Sequence, residues 1–315
     1  MLNERLIGKL QDEFGLNFRG FVRLRTVVGV RTDGGAMILK RYVGEGMKRR
    51  LEALGDALDV VLQAGVEIAP YLRTRTDDVF VTHRDELWTL QPWLPGRHVS
   101  MRTREERRAA AGVLADLHNV PAGRLIEAPF FLRVPPLWEK YRHRLERAQN
   151  ATLKAFHLRE LWRPFADQAA LSLHELQRTT ATRALERDAR YGSLCHRDPA
   201  PHNFLWQGER AALIDFDLAG LDARAHDLYQ LMNHALYLNG WERRLFSDMI
   251  EAYERVRPLG HENRKTLEAL MLFPSLVVRE WYDYGKTGNR DTFKPRLDWA
   301  MKQEELRMRE VRALF

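Results

Sequence analysis

The chain has 315 residues, 45% of them apolar and 30% charged, with a formal net charge of +7 and a single cysteine. That length supports one large domain or two coupled lobes, and one cysteine excludes an internal disulfide and any multi-cysteine zinc site. No apolar run approaches the roughly 20 residues that cross a bilayer, and the charged, amphipathic start MLNERLIGKLQDEFG is no secretory signal. A cytoplasmic protein that does not bind a membrane is expected. Basic residues are scattered among Asp and Glu without a nucleic-acid motif, so no nucleic-acid partner is expected either.

The first 90 residues read as a small mixed lobe. Phe21 to Val30 has strand character, Asp33-Gly34-Gly35 signals a turn, and Ala36 to Lys40 reads as the returning strand. A helix follows from Glu45 to Gln63, with apolar residues at Leu51, Leu54, Leu58, Val61 and Leu62 and a stop at Gly65. Asp78 to Val81 and Leu87 to Leu90 make a further strand pair. Gln91-Pro92-Trp93-Leu94-Pro95-Gly96 then marks a boundary, because Pro and Gly break regular structure there. From residue 97 to 315 the chain reads as mostly helical. Glu105 to His118 carries a helical apolar stripe, and Pro136 to Gln149 and His157 to Arg178 are arginine-rich amphipathic helices covering a core. Phe273, Trp281, Tyr282 and Tyr284 near the end read as core or partly exposed packing.

The stretch SLCHRDPAPHNFLWQGERAALIDFD, from Ser193 to Asp217, carries the chemistry. His196-Arg197-Asp198 precedes Asn203, and Asp215-Phe216-Asp217 follows a short apolar strand, in the order and spacing of a kinase catalytic loop and its metal segment. Phosphoryl transfer from ATP needs a carboxylate to orient the acceptor hydroxyl and take its proton, which is the role read for Asp198. It also needs oxygen ligands for Mg²⁺, a hard cation, and Asn203 and Asp215 supply them. His196 reads as a structural residue of the loop and Cys195 as a small buried hydrophobe. Leu194-Cys195, Phe204 to Trp206 and Ala211 to Ile214 read as short buried strands with a turn at Gln207-Gly208-Glu209.

Other positions fall into place around that loop. Lys40 ends its strand as a kinase phosphate-binding lysine ends Val-Ala-Ile-Lys. Glu52 on the following helix is the first candidate for its acidic partner, with Asp56 and Glu45 as competitors. Gly29, Gly34 and Gly35 do not form a G-x-G-x-x-G cover, although a hairpin with inward amides would serve. By position, backbone groups of Gln91 and Trp93 are candidates to hydrogen-bond adenine. Asp227 is expected to cap a helix and to brace the catalytic loop.

Taken together, these residues resemble the aminoglycoside phosphotransferase and choline kinase superfamily, most closely its CotS-type spore coat members. The likeness rests on Cys195, His196, Asp198, His202 and Asn203, on Ile214 to Asp217, and on Asp222, Arg224, Asp227 and Leu228, with weaker echoes at Leu117-His118 and Phe273-Pro274. It implies a protein-kinase-like, two-lobed α+β fold with the active site in the interlobe cleft. It also implies Asp198 as base, Asn203 and Asp215 as Mg²⁺ ligands, Lys40 on the ATP phosphates, and Asp217 in the metal shell or substrate site.

Two functions follow. One is an ATP- and Mg²⁺-dependent transfer to the hydroxyl of a small molecule. The other is a kinase-like scaffold of the spore coat, partnered by coat proteins. A protein kinase fits less well, because Asp217 runs to Asp227 without room for a peptide-docking segment. The acids after that segment, Asp248, Glu251, Glu254, Glu262, Glu268, Glu280 and Asp283, are interleaved with arginines and do not mark an acidic acceptor pocket.

Overall fold

Asn3 begins the first helix, α1 (Glu4–Phe14), by accepting the Leu6 N–H on its side-chain oxygen at 2.9 Å, and Gly15 ends it in the left-handed region at φ 67°. The computed structural model describes residues 2–24, 27–120, 137–153, 159–178, 193–288 and 290–315. Leu6, Leu10 and Phe14 repeat every four residues, so they share one face of α1 and pack on Val30, Leu39, Trp88 and Leu90.

The strands beneath α1 are β1 (Phe18–Arg23), β2 (Val28–Thr32), β3 (Gly35–Val43), β4 (Val81–His83) and β5 (Glu86–Pro92). Among the described residues they form one antiparallel sheet in the order β1-β2-β3-β5-β4. The single strand predicted over Phe21 to Val30 is divided. Phe21 pairs with Val30 across a hairpin that the Leu24 N–H closes onto the Val27 carbonyl, and Arg25 and Thr26 lie outside the described residues. No Gly, Pro or Asn signals that turn, so cross-strand pairing decides it and local chemistry does not. Gly29 answers a packing need instead: a Cβ there would lie 2.7 Å from the Trp93 ring.

Helix α2 (Met47–Gln63) turns Leu51, Leu54, Leu58 and Val61 inward and leaves Leu62 exposed, one position off that face. The chain after it crosses to the large lobe, where the Ala69 and Leu213 amides donate to Leu213 and Glu67 carbonyls, both within 3.3 Å. The β4–β5 turn centres on Arg84, at φ 56°; β4 lies later than the predicted Asp78 to Val81, and β5 extends the predicted Leu87 to Leu90 at both ends.

The connector leads into β6 (Arg97–His98), which pairs with β8 (Phe204–Trp206), itself paired with β9 (Ala211–Leu213). Gly96 permits this approach, because a Cβ would lie 2.8 Å from the Trp206 carbonyl oxygen and its φ is 130°. A second pair, β7 (Leu194–Cys195) with β10 (Gly220–Leu221), frames the loop between them.

Helices α3 (Arg104–His118), α4 (Leu137–Thr152), α5 (Arg159–Gln177), α6 (Arg224–Asn239), α7 (Arg243–Glu254), α8 (Gly260–Met271), α9 (Ser275–Thr287) and α10 (Arg290–Glu310) build the rest. The predicted starts of α4 at Pro136 and α5 at His157 lie outside the described residues. Tyr141, Tyr229, Phe273 and Trp281 are fully enclosed in the core, Tyr284 is buried, and Tyr282 stays at the surface. No helix among the described residues is long and apolar enough to cross a membrane.

Gly55 sits mid-helix on α2, where glycine ordinarily costs about 1 kcal/mol relative to alanine. Here an added Cβ would meet Val79 Cγ1 at 2.3 Å. Gly55→Ala is therefore expected to destabilise the protein by about 1–3 kcal/mol, measured as a lower thermal or urea midpoint. A rise in either midpoint would show that α2 does not pack against Val79 as described.

Candidate active site

The loop that carries the acidic motif leaves β7 at Cys195, which is buried and donates its thiol to the Asp222 carbonyl at 3.3 Å. His196 is also buried. Its ring Nε2–H donates to the Ile214 carbonyl at 2.9 Å, and the Ile214 N–H donates to the Asn203 carbonyl at 3.0 Å. The strand before Asp215 is thus laced to the loop that holds Asp198. Arg197 and Asp215 both adopt left-handed backbone, at φ 65° and 66°. Asp tolerates that region better than most residues and Arg does not, so Arg197 must be held from outside.

Asp227 does the holding. Its carboxylate accepts the His196 N–H at 2.6 Å on one oxygen and the Arg197 N–H at 2.9 Å on the other. His118 Nε2 lies 3.2 Å away, and His118 Nδ1 is 2.8 Å from the Tyr253 hydroxyl. Burial works against the charge on Asp227, yet the hydrogen bond and charge of His118 hold its carboxyl below the usual range. Asp227 is not the capping residue of its helix. α6 begins at Arg224 with Ala223 in the capping position, and Asp227 projects sideways from the first turn. Asp222 steadies the other side of Arg197, accepting Arg197 Nε at 3.1 Å and facing His226 Nδ1 at 3.4 Å. The sequence marks His118 only through the Leu117-His118 pair.

Asp198 is partly exposed, and Asn203 is almost fully enclosed beside it. Asn203 Nδ2 donates to the Asp198 carbonyl at 2.9 Å and approaches Asp198 Oδ2 at 3.4 Å, which leaves the Asn203 side-chain oxygen for a cation. Together with the Asp215 carboxylate this is a hard oxygen donor set, and it fits Mg²⁺.

Lys40 arrives from the small lobe. Its Nζ donates to Asp215 at 2.6 Å and to Asp217 at 3.0 Å. Burial raises the Asp215 carboxyl, but Lys40 outweighs it and the net shift is downward. Burial, with the Asp217 charge among its causes, also pushes the Tyr42 phenol far up, so Tyr42 stays protonated and donates to Asp217 at 2.7 Å.

Glu52 has no place in this cluster. It is exposed on α2, as Glu45 is just before the helix, and Asp56 pairs with Arg73 at 2.9 Å. The residue of α2 that reaches the site is Arg50, whose guanidinium donates to the Asp217 and Ala219 carbonyls, each at 2.8 Å. Glu52 fails because the buried face of α2 carries Leu51 and Leu54, which turns Glu52 to solvent.

The connector also departs from the sequence reading. The Trp93 N–H is committed to the Ala36 carbonyl at 2.9 Å, and the Leu90 carbonyl accepts the Leu72 N–H at 2.7 Å on the opposite edge. Backbone groups alternate in direction along a strand. Gln91, paired with Ile38, therefore faces β3 as Trp93 does, and Pro92 turns its carbonyl to the other edge. The Gln91 side chain donates to the Ala69 carbonyl.

The family model described as "Phosphotransferase enzyme family" matches residues 23–261. The chain belongs to that family. Homoserine kinase of Pseudomonas aeruginosa is 27% identical over 287 residues, spanning 87% of this chain and 81% of that protein. Among solved structures, an aminoglycoside phosphotransferase from Alicyclobacillus acidocaldarius superposes with a TM-score of 0.84 at 20% identity, covering 100% of this chain and 95% of that one. Amicoumacin kinase hAmiN, solved in complex with AMP-PNP, Ca²⁺ and Ami, superposes with a TM-score of 0.65 at 15% identity over 96% of this chain and 93% of the other. These likenesses show the kinase-like two-lobed fold, and the family makes the chain a phosphotransferase.

Buried histidines behind the loop set an acid limit. Burial lowers His226 and His234 to about 4. Both are therefore neutral in the folded protein where an unfolded chain already takes up protons, from about pH 6.5 downward. The unfolded state binds more protons there, so stability falls as pH drops from about 6.5 to 4, by up to about 1.4 kcal/mol per pH unit for each histidine. The lowered Asp222 and Asp227 add a further loss below about pH 3.8. Thermal midpoints from pH 7 to 4 should fall accordingly, and less steeply in His226→Gln. A flat profile over that interval would contradict the burial described.

Proposed function

We propose that the protein transfers the γ-phosphoryl group of ATP to a hydroxyl of a small molecule, with Mg²⁺ held by Asn203 and Asp215. The observation that carries this reading is the meeting of Lys40 from the small lobe with Asp215 from the large lobe at 2.6 Å, beside the loop bearing Asp198. Mg²⁺ supplies charge neutralisation between phosphates and carboxylates when bound. Lys40 exchanges a carboxylate for phosphate oxygens, and the Pro92 carbonyl offers adenine an acceptor. Asp198 orients the acceptor hydroxyl and takes its proton as the new P–O bond forms and the bond to the ADP oxygen breaks.

Small-molecule acceptors are supported by the relatives, which are named for homoserine and amicoumacin. They are supported too by the short passage from Asp217 to Asp227, almost all of it buried and without a segment to dock a peptide. The lobes divide as residues 1–90, a connector at 91–96, and 97–315. A spore-coat association rests on the CotS-type motifs alone, and the chemistry proposed does not need it.

Mg²⁺-dependent ATP binding by calorimetry, followed by ADP release with acceptors, tests the reading. Asp198→Asn should keep nucleotide binding and lower transfer by roughly 10²–10⁴-fold. Unchanged turnover would remove Asp198 from its role. Asp215→Ala should abolish the Mg²⁺ dependence of binding, and Glu52→Ala should leave ATP affinity within about twofold, as for an exposed side chain. Wild-type protein that fails to bind Mg-ATP at millimolar concentration would favour the scaffold.

A further inference from the structure

A cavity of about 580 Å³ opens on the large lobe between α4, α6 and α9, next to the catalytic loop. One lining residue ties it to that loop: Gln230 Nε2 donates to the carbonyl of Arg197, the neighbour of Asp198, at 3.2 Å.

The charged side chains described as lining this cavity are of one sign. Lys140, Arg144 and Arg147 line it from α4 and Arg279 from α9, and none of its described lining residues is Asp or Glu. The partners of these cations are mostly neutral. Lys140 Nζ is 3.5 Å from both His226 Nε2 and Gln230 Oε1, and burial keeps that histidine uncharged at neutral pH. Arg147 donates to the Tyr282 hydroxyl at 3.2 Å, and Arg144 and Arg279 lie over the Tyr141 and Tyr237 rings at 5.4 and 4.2 Å. Two carboxylates stand behind the lining: Glu146 lies 3.3 Å from His143, and Asp283 lies 3.9 Å from Arg279 and is shared with Arg296.

Solvated surface arginines are ordinary, but a mostly enclosed lysine beside two of them is not. Burial, then the charges of Arg144 and Arg197, lower Lys140 to about 8 against the smaller opposing pull of Asp222 and Asp227, a direction that a bound anion would reverse. A concave site lined by one sign of charge concentrates the opposite ion and repels its own. An acceptor bearing ammonium groups would meet four cations here, with Asp198 as its counter-charge.

We infer that this cavity receives the acceptor and that the acceptor carries an anionic group, a carboxylate or a phosphate, bound by Lys140, Arg144 and Arg147 with its hydroxyl toward Asp198. The inference rests on the phosphotransferase reading above and names the acceptor class for that site. It sets this chain apart from kinases whose acceptors are polycations.

The test uses the full chain with Mg-ATP and matched acceptors differing in charge. Homoserine against homoserinol forms the carboxylate arm, glycerol 3-phosphate against glycerol the phosphate arm, and spectinomycin the cationic control. The arm that carries the true anionic group should show kcat/KM, or affinity for the Mg-ADP complex, at least about tenfold above the analogue that lacks the carboxylate or phosphate, as a charge-assisted contact provides. Arg144 and Arg147 are exposed, so Arg144→Glu with Arg147→Glu should fold. That variant should raise KM for the anionic acceptor by about tenfold or more with kcat and Mg-ATP affinity retained, and Lys at both positions should restore part of the loss. Preference for a neutral or cationic acceptor, no anionic member binding above its analogue, or an unmoved KM in the charge-reversed variant would each overturn the inference. Failure of wild-type protein to bind Mg-ATP would instead overturn the kinase reading.

Discussion

The carboxylate of Asp227 is the constraint on which the rest of the site depends. It is fully buried, and it accepts two consecutive backbone N–H groups, from His196 and Arg197. Those two bonds hold Arg197 in a left-handed conformation that its side chain does not favour, and so aim Asp198. A buried charge needs compensation, and His118 supplies it from a helix more than a hundred residues earlier in the chain. Tyr253 then holds His118 from α7. Three helices therefore contribute to the position of one loop, and the large lobe is as much a support for that loop as a fold in its own right.

The catalytic loop was legible in the sequence because its chemistry is local. Asp198, Asn203 and Asp215 stand at fixed spacings along one stretch, and the short apolar strands between them leave few ways to arrange the backbone. Lys40 was legible for a similar reason, at the end of an apolar strand. What was hidden depends on facing. Glu52 and Arg50 are two positions apart on one helix, and only the packing of Leu51 and Leu54 decides which reaches the site. The connector posed the same problem at the level of the backbone, where one residue of phase separates Gln91 and Trp93 from Pro92. The β1–β2 hairpin was hidden because its turn lacks the residues that announce turns.

Charge was the least legible property. The acids that follow the metal segment are carried off into pairs of their own: Asp248 with Arg104, Glu254 with Arg264, Glu268 with Lys265 and Glu280 with Arg296. The cavity beside the loop keeps the cations that these pairs do not use. Composition reports a net charge of +7, but its location follows from which helix faces meet.

Arg50 grips main-chain oxygens, not side chains, where α2 meets the metal segment. A tie of that kind has no titrating acceptor and no carboxylate for which a nucleotide phosphate or a modification could compete. The helix is thus riveted to the large lobe, whereas a helix held by a lysine–glutamate pair can swing out when that pair breaks.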